Sequence, residues 1–582
     1  MSTQPRRSAR AASAKPAENP VPRIVAKATA KPAAKPVAKA AAKPATKPAA
    51  KVTKATKKEA EKPAQKTSTA RSRPAKRPAS PEHETQPAAK RSRAAPKVIE
   101  NGVIAEKPKP APRAKSRRGS ATPGPRIPHR QLRPYFNPLP TPPEHLRPAP
   151  QMFAWGAGNF GQFGMGPDLL DEFDKPRKNA WIEEKIREGL FGGPEAGLEA
   201  VAAGGLHSLF IDEKGTVWSC GVNDDAALGR ITANVPNPEK EGEILDVDQL
   251  SAVPHPLQSL VDEKFRAVRI VAGDTISAAI STQGDLRVWG SFRAVEGALG
   301  FSSGSRYQWL PASILELKSK PGDVEKFTAV AAGNNHLIVL TTHGNVYTWG
   351  AGEQGQLGRK VMERHKIHGT VPEKVVLGLR SHKAVVVGAG NYNSFAVDER
   401  GVVWGWGLNS MGQTGTGFTD ADADTQVQTP KKVIGLSKEE LGGEEHVVQI
   451  AGGEHHTLFL TSAGKVYACG RSEGGQLGLA ENDAAFKDRK SPDMLTVPSL
   501  VTFPDVDDPI AHIAAGIHNN VAVTKGGALY AWGNGPQGEL GVGEETEART
   551  PTVVVRKEGG SWTALEASCG GQHTLALLRK KA

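Results

Sequence analysis

The sequence predicts an all-β fold, a seven-bladed β-propeller of four-stranded blades. Three observations lead there. A hairpin unit recurs along the chain, its internal spacing is constant, and the two ends of the repeat region hold complementary halves of one further unit.

The unit is clearest at Ala331–Gly358, AAGNNHLIVLTTHGNVYTWGAGEQGQLG. It predicts a strand, a turn at Thr342-His343-Gly344, a second strand and a Gly-rich exit. Leu337, Val339, Val346, Tyr347 and Trp349 are residue types that suit a pleated, half-buried surface. An opening glycine and a closing Trp-Gly type glycine recur at Gly204/Gly221, Gly273/Gly290, Gly333/Gly350, Gly390/Gly407, Gly453/Gly470 and Gly516/Gly533, always 17 residues apart. The six units repeat every 57 to 69 residues, so the hairpin is constant and the connections vary. That is expected where hairpins pack and insertions map to loops.

Gly570 opens a seventh unit that the chain leaves without its Trp-Gly end, while Trp155-Gly156 is an end without an opening. Pairing the two closes a ring, which removes the long exposed sheet edges of an open array. The blades are expected over residues 150–579, after a Pro-rich strap at 131–149 and a basic tail at 1–130.

Charge divides the same way. The net charge is +14, yet residues 1–150 carry 35 Lys+Arg against 8 Asp+Glu, and the rest carries 40 against 53. A basic tail on an acidic body assigns nucleic-acid contact to the tail. Its Lys-Pro-Ala repeats block helix and supply too few apolar residues for a core, so it is read as disordered. Its lysines neutralise phosphates without reading bases. The clusters Arg71–Arg77, Lys90-Arg91-Ser92-Arg93 and Lys115–Arg118 fit nuclear-import signals. No apolar run is long enough to cross a membrane, and the N-terminus lacks a signal-peptide core.

Other elements follow in order. Trp181–Leu190 is expected to form a short helix in the insertion between Asp168 and Ala200. Arg359–Lys374 is a basic-leaning connection containing Arg359, Lys360, Arg364, His365 and Lys366. Cys220 and Cys469 take the tryptophan slot of the repeat and Cys569 the slot before its glycine, so all three read as small packing residues. Three G-x-G-x-x-G matches, at Gly156, Gly350 and Gly533, each leave a strand for a loop, not a helix, and read as blade turns, not cofactor loops. His207, His336, His456 and His573 share a slot with Ile276, Asn393 and Asn519; a slot that accepts isoleucine reads as structural. No metal motif, no nucleophile motif and no nucleotide-hydrolysis motif is present, and no cofactor or metal is expected.

The A-x-G-x-x-H and W-G-x-G-x-x-G-Q-L-G signatures across residues 150–578 resemble the regulator of chromosome condensation family. Its founding type is the nuclear guanine-nucleotide exchange factor for the small GTPase Ran. The most discriminating run is Gly290-Ser291-Phe292-Arg293. In the exchange factors this loop resembles a wedge that enters the GTPase's nucleotide site. The resemblance implies a wedge of Ser291, Phe292, Arg293, Ala294, Val295 and Glu296, with Phe292 and Val295 entering the phosphate region. It implies a GTPase-facing rim of Asn159, Asp274, Asn335 and His455. Asn335 stands where the family typically has aspartate, Asn159 where it often has, and Ala294-Val295-Glu296 replaces a more polar run. The resemblance also implies chromatin contact through Arg364, beside Lys90, Arg91, Arg93, Lys115, Arg117 and Arg118 of the tail.

The resulting reading is a nuclear, chromatin-associated exchange factor that promotes nucleotide release from Ran without covalent chemistry. Its expected partners are Ran, DNA and nucleosomes through the tail, and a nuclear import receptor. The alternative is a chromatin-recruited propeller scaffold without exchange activity. An enzyme with a central-channel site ranks last, because no acid–base pair is recognisable.

Overall fold

The computed structural model describes residues 134–581 apart from 239, 319, 321, 380–381, 419–424, 488–490 and 492. The tail residues Lys90, Arg91, Arg93, Lys115, Arg117 and Arg118, and the import-signal clusters, lie outside these. Chain contacts separate residues 1–119 from 120–582, and the fold below is that of the second unit.

Seven four-stranded antiparallel sheets form the blades, with one extra two-stranded hairpin. From the inner strand outward, blade 1 is Leu198–Ala203, His207–Asp212, Val217–Gly221 and His255–Pro256. Blade 2 is Ala267–Ala272, Ile276–Ser281, Leu286–Gly290 and Gln308–Ala312. Blades 3 to 6 follow in the same order, with inner strands Phe327–Ala332, Ala384–Ala389, Val447–Gly452 and Ile510–Ala515. Blade 7 joins the chain's ends: Trp562–Cys569 and His573–Lys580 pair with Gln151–Ala157 and Glu172–Lys178. The register Gly156↔His573 to Gln151↔Leu578 is the ring closure the half-repeats predict. The expected helix runs Ala180–Glu188, capped by the Asn179 side chain and stopped by Gly189 at φ 75°.

The repeat signature has a packing reason. In blade 3 a Cβ on Gly333 would lie 2.1 Å from the His336 ring, and one on Gly453 would lie 2.3 Å from the His456 ring. The opening glycine is therefore the floor on which the slot side chain lies. That side chain then crosses to the next blade. His207 Nε2 meets Ser277 Oγ at 2.9 Å, His336 meets Ser394 at 2.8 Å, and His573 meets Ser208 at 2.9 Å. His456 Nε2 reaches Asn520 Oδ1 at 2.7 Å, while Asn393 and Asn519 reach Thr457 and Thr574. The exception is Ile276, whose partner slot in blade 3 holds Leu337; both sit in one apolar cluster. The structural reading of the histidine slot follows from these bonds. Burial drives the imidazoles of His207, His336 and His456 down to about 4 and that of His573 to about 3.

The closing tryptophans use the same junctions. Trp155, Trp289, Trp406 and Trp532 are buried, and each indole N–H donates to a loop carbonyl of the preceding blade, at Glu539, Ala227, Gln356 and Gln476. Cys220 and Cys469 point their thiols at the equivalent carbonyls of Gln162 and Gln413. They are free thiols, raised by burial, to about 12 for Cys220. Around the channel, loop amides link blade to blade: Gly571 donates to Gly204, Gly205 to Gly273, Asp274 to Asn334, Asn334 to Asn391, Asn391 to Gly453 and Glu454 to Ile517, at 2.8–3.1 Å. A ring so tied offers rigid sites from which loops project.

The hairpin geometry also sorts the loops by face. His336 pairs with Gly350, so the loop before the second strand and the loop after the third lie at one end of each blade. The tight turns and the blade-to-blade connections lie at the other. The strap occupies that second face. Phe136 and Asn137 amides donate to Thr342, Asn137 Nδ2 donates to Thr341 and Ala384 carbonyls, and Arg147 forms a two-pronged ion pair with Glu213.

Candidate functional site

The first face carries every described residue that the resemblance singles out. Asn159 and the Ser291–Glu296 stretch lie in loops after third strands, and Arg364 lies in the corresponding blade-3 connection. Asp274, Asn335 and His455 lie in loops before second strands.

The blade-2 loop departs from its siblings because it folds as a second hairpin. Arg293–Ala294 pairs with Gly297–Ala298. The apex is Val295-Glu296, and Val295 is 83% exposed. Gly297 turns the chain at φ 118°, where other residues are strained. Beneath the hairpin, Phe292 is fully buried, its ring 5.3 Å from Phe301 and clustered with Trp349. This corrects the expectation that Phe292 itself enters a partner. The aromatic ring is the anchor and Val295 the projecting residue. Ser291 is likewise buried, its hydroxyl donating to the Arg306 carbonyl at 2.8 Å. Hydrophobicity alone cannot separate an anchor from a tip two or three residues away.

The hairpin alters the next blade. Where other loops offer a carbonyl to a tryptophan, Trp349 Nε1 has no hydrogen-bond partner among the described residues. The slot that elsewhere holds Ser, Thr or Asn holds Leu337, next to the same aromatic cluster. The Ile276–Leu337 exception and the orphaned indole share one cause, the replacement of the blade-2 loop.

Neighbouring blades brace the hairpin. Asn335 Oδ1 accepts from the Arg293 amide at 2.9 Å. The Arg293 guanidinium reaches back to blade 1 and pairs with Asp225 at 3.0 Å. Burial raises the Asp225 carboxyl, opposed by Arg293. The Val295 amide donates to Glu353 Oε2 at 3.2 Å, and Glu296 pairs with Lys366 at 2.6 Å, both from blade 3. The Asp274 amide donates to the Asn334 carbonyl, which sets Asp274 beside Asn335.

Three expected residues stand apart from this group. Asn159 is exposed in blade 7 and bonds Glu172 at 3.4 Å. His455 sits in blade 5, its ring 3.7 Å from Glu454. Arg364 is exposed on the 3-10 segment Glu363–Thr370. Sequence alone does not single out Asp225 or Glu353 for this role, and it places Lys366 only in a basic connection. Each acts from a neighbouring blade, about 60 to 70 residues away in the chain, at positions that the repeat pattern does not distinguish.

The arrangement is a short braced hairpin that presents one apolar side chain, Val295, beside polar and charged groups. Among the described residues, Glu296, Glu353 and Glu363 bring carboxylate oxygens within 4.8 Å of one another. The Lys366 ammonium lies among them, bonded to all three, and supplies the positive charge there.

The RCC1-like domain family matches residues 151–576. The chain is 33% identical over 439 residues to the human Regulator of chromosome condensation, covering 73% of this chain and 90% of that protein. It is 31% identical over 447 residues to the guanine nucleotide exchange factor SRM1 of Saccharomyces cerevisiae, covering 73% and 86%. The solved structure of Prp20p from Saccharomyces cerevisiae, described with its binding properties to Gsp1p and histones, superposes with a TM-score of 0.62 at 28% identity, covering 77% of this chain and 93% of that one. Seven closed blades and these matches place the chain in the RCC1-like domain family, with a relative named as a guanine nucleotide exchange factor among those it resembles.

Proposed function

We propose that this protein releases guanine nucleotide from the small GTPase Ran, and does so while held on chromatin. The observation that carries the reading is the blade-2 hairpin, which presents Val295 outward and is braced by Asn335, Asp225 and Glu353. A GTPase that holds nucleotide at picomolar strength does so with about 16 kcal/mol. Release therefore needs tight binding to the nucleotide-free form, and by reciprocity bound nucleotide weakens the grip. A broad rim supplies the grip, and a braced point displaces the nucleotide's surroundings. Asp274, Asn335 and His455 lie on the hairpin's face and serve as GTPase contacts, with Asn159 further round the ring.

Chromatin contact is assigned to the basic tail, with Arg364 as an added contact from the propeller, and the tail's basic clusters to an import receptor. The description of the yeast relative with histones supports a chromosomal setting.

The test is nucleotide release from Ran loaded with a fluorescent guanine nucleotide, using the full chain and a variant with Val295 and Glu296 replaced by glycine. Release accelerated by the wild-type chain and at least tenfold slower with the variant is expected. Binding without acceleration favours the scaffold alternative.

A further inference from the structure

We propose that Lys366 and Glu353 are positioning residues for nucleotide release: from blade 3 they hold the tip of the blade-2 hairpin in the attitude from which it enters the GTPase. The proposal rests on the exchange reading above and adds to it two residues that touch no nucleotide.

The hairpin cannot hold itself. It has two ladder pairs, Arg293↔Ala298 and Ala294↔Gly297, and a left-handed glycine beside its apex. An isolated two-stranded ribbon this short is not stable in water. Its base is fixed by buried Phe292, whose carbonyl accepts from the Leu299 and Gly300 amides, by Asn335 and by the Arg293–Asp225 ion pair, but none of these reaches the apex. Among the described residues, the apex itself is fixed from blade 3 alone. The two carboxylate oxygens of Glu353 divide the work. Oε2 accepts the Val295 amide, and Oε1 pairs with Lys366 at 2.5 Å. Lys366 then pairs with Glu296, the other apex residue, at 2.6 Å. The loop Val295–Glu353–Lys366–Glu296 thus closes around the tip and ties both apex residues to one blade.

The ammonium is what makes this loop possible. Glu296, Glu353 and Glu363 would repel one another at such range, and Lys366 bonds all three. Its side chain is only 17% exposed, drawn in among the acids. Hydrogen bonding to Lys366 lowers the Glu296 carboxyl, and the same bonds raise the lysine. Removing the charge turns the clamp into a repulsive cluster, and Glu296, on the least-anchored element, is the group able to move away. The basic character of this connection is therefore spent on the hairpin, not on nucleic acid, at least at Lys366.

The experiment compares the full chain with Lys366→Met, which keeps the aliphatic stem, and Lys366→Arg, which keeps the charge. Three quantities are measured: hydrogen–deuterium exchange at the Val295 amide, nucleotide release from Ran, and affinity for nucleotide-free Ran. In Lys366→Met, Val295 exchange rises about tenfold and release at saturating protein falls about tenfold, while affinity changes by less than about threefold. Lys366→Arg restores both to within about threefold of wild type. Unchanged Val295 protection in Lys366→Met overturns the clamp. Lost protection with undiminished release overturns the positioning role. An equal fall in affinity and release overturns it too, since Lys366 is then a contact. A wild-type chain that releases no nucleotide overturns the exchange reading and this role together. The Val295 measurement in that case still tells whether the clamp exists, so the two failures are distinguishable.

Discussion

His336 Nε2 donates to Ser394 Oγ across the junction of blades 3 and 4, because the Ser394 hydroxyl is itself committed to the Gln356 carbonyl. The bond fixes the tautomer, with the proton on Nε2 and Nδ1 left without a partner. Ser394→Ala strands a buried N–H and should destabilise the chain by about 1–3 kcal/mol. The Gln356 carbonyl keeps its bond from Trp406, so the loss falls on the imidazole. Combining Ser394→Leu with His336→Ile copies the Leu337–Ile276 solution of the preceding junction. The double variant should be more stable than the sum of the two single losses, a coupling readable in urea melts.

Acid should weaken the propeller between about pH 6.5 and 4. The slot histidines titrate at about 4 or 3 when folded, below the ordinary histidine value of 6.5. In this window the unfolded chain binds more protons, so stability falls as pH falls, by up to about 1.4 kcal/mol per pH unit for each such histidine. Glu566, raised by burial to about 7, runs the other way and offsets one of them. Urea midpoints at pH 7 and 5 should differ accordingly, and His336→Gln should flatten the slope.

Ring closure can be tested at Trp155. It is fully buried, and its indole donates to the Glu539 carbonyl at 2.8 Å, joining the first strand of the chain to blade 6. Trp155→Ala should cost about 3–5 kcal/mol. A chain beginning after Gly166 lacks Gln151–Ala157 and leaves the edge of His573–Lys580 unpaired. It should lose its cooperative melt and associate, as calorimetry and gel filtration would report.

Asn335 accepts one hydrogen bond from the Arg293 amide, a task that a carboxylate performs at least as well. Asn335→Asp should therefore keep or raise nucleotide release. Asn335→Ala should lower it by about 1–2 kcal/mol in activation free energy, roughly 5- to 30-fold. Stopped-flow release from Ran measures both.

Deleting residues 1–130 should leave release from free Ran within about twofold while weakening DNA and nucleosome binding. The lost binding should fall steeply with salt, since each neutralised phosphate adds about one unit to the log–log slope. Titrations at several salt concentrations check this.

The sequence by itself determined the architecture of this protein. A constant 17-residue spacing and two complementary half-units specify hairpins, their number and their closure, since strand pattern and turn glycines are local properties. The loop after Trp289 stands out only through the family resemblance of Gly290–Arg293. What the sequence did not decide is which side chain of that loop faces outward. Phe292 and Val295 are both apolar, and only packing against Phe301 and Trp349 buries one and leaves the other exposed. Nor did it show that Asp225, Glu353 and Lys366 brace the hairpin. Those contacts form between blades that the ring brings side by side, so they depend on closure and not on neighbouring sequence.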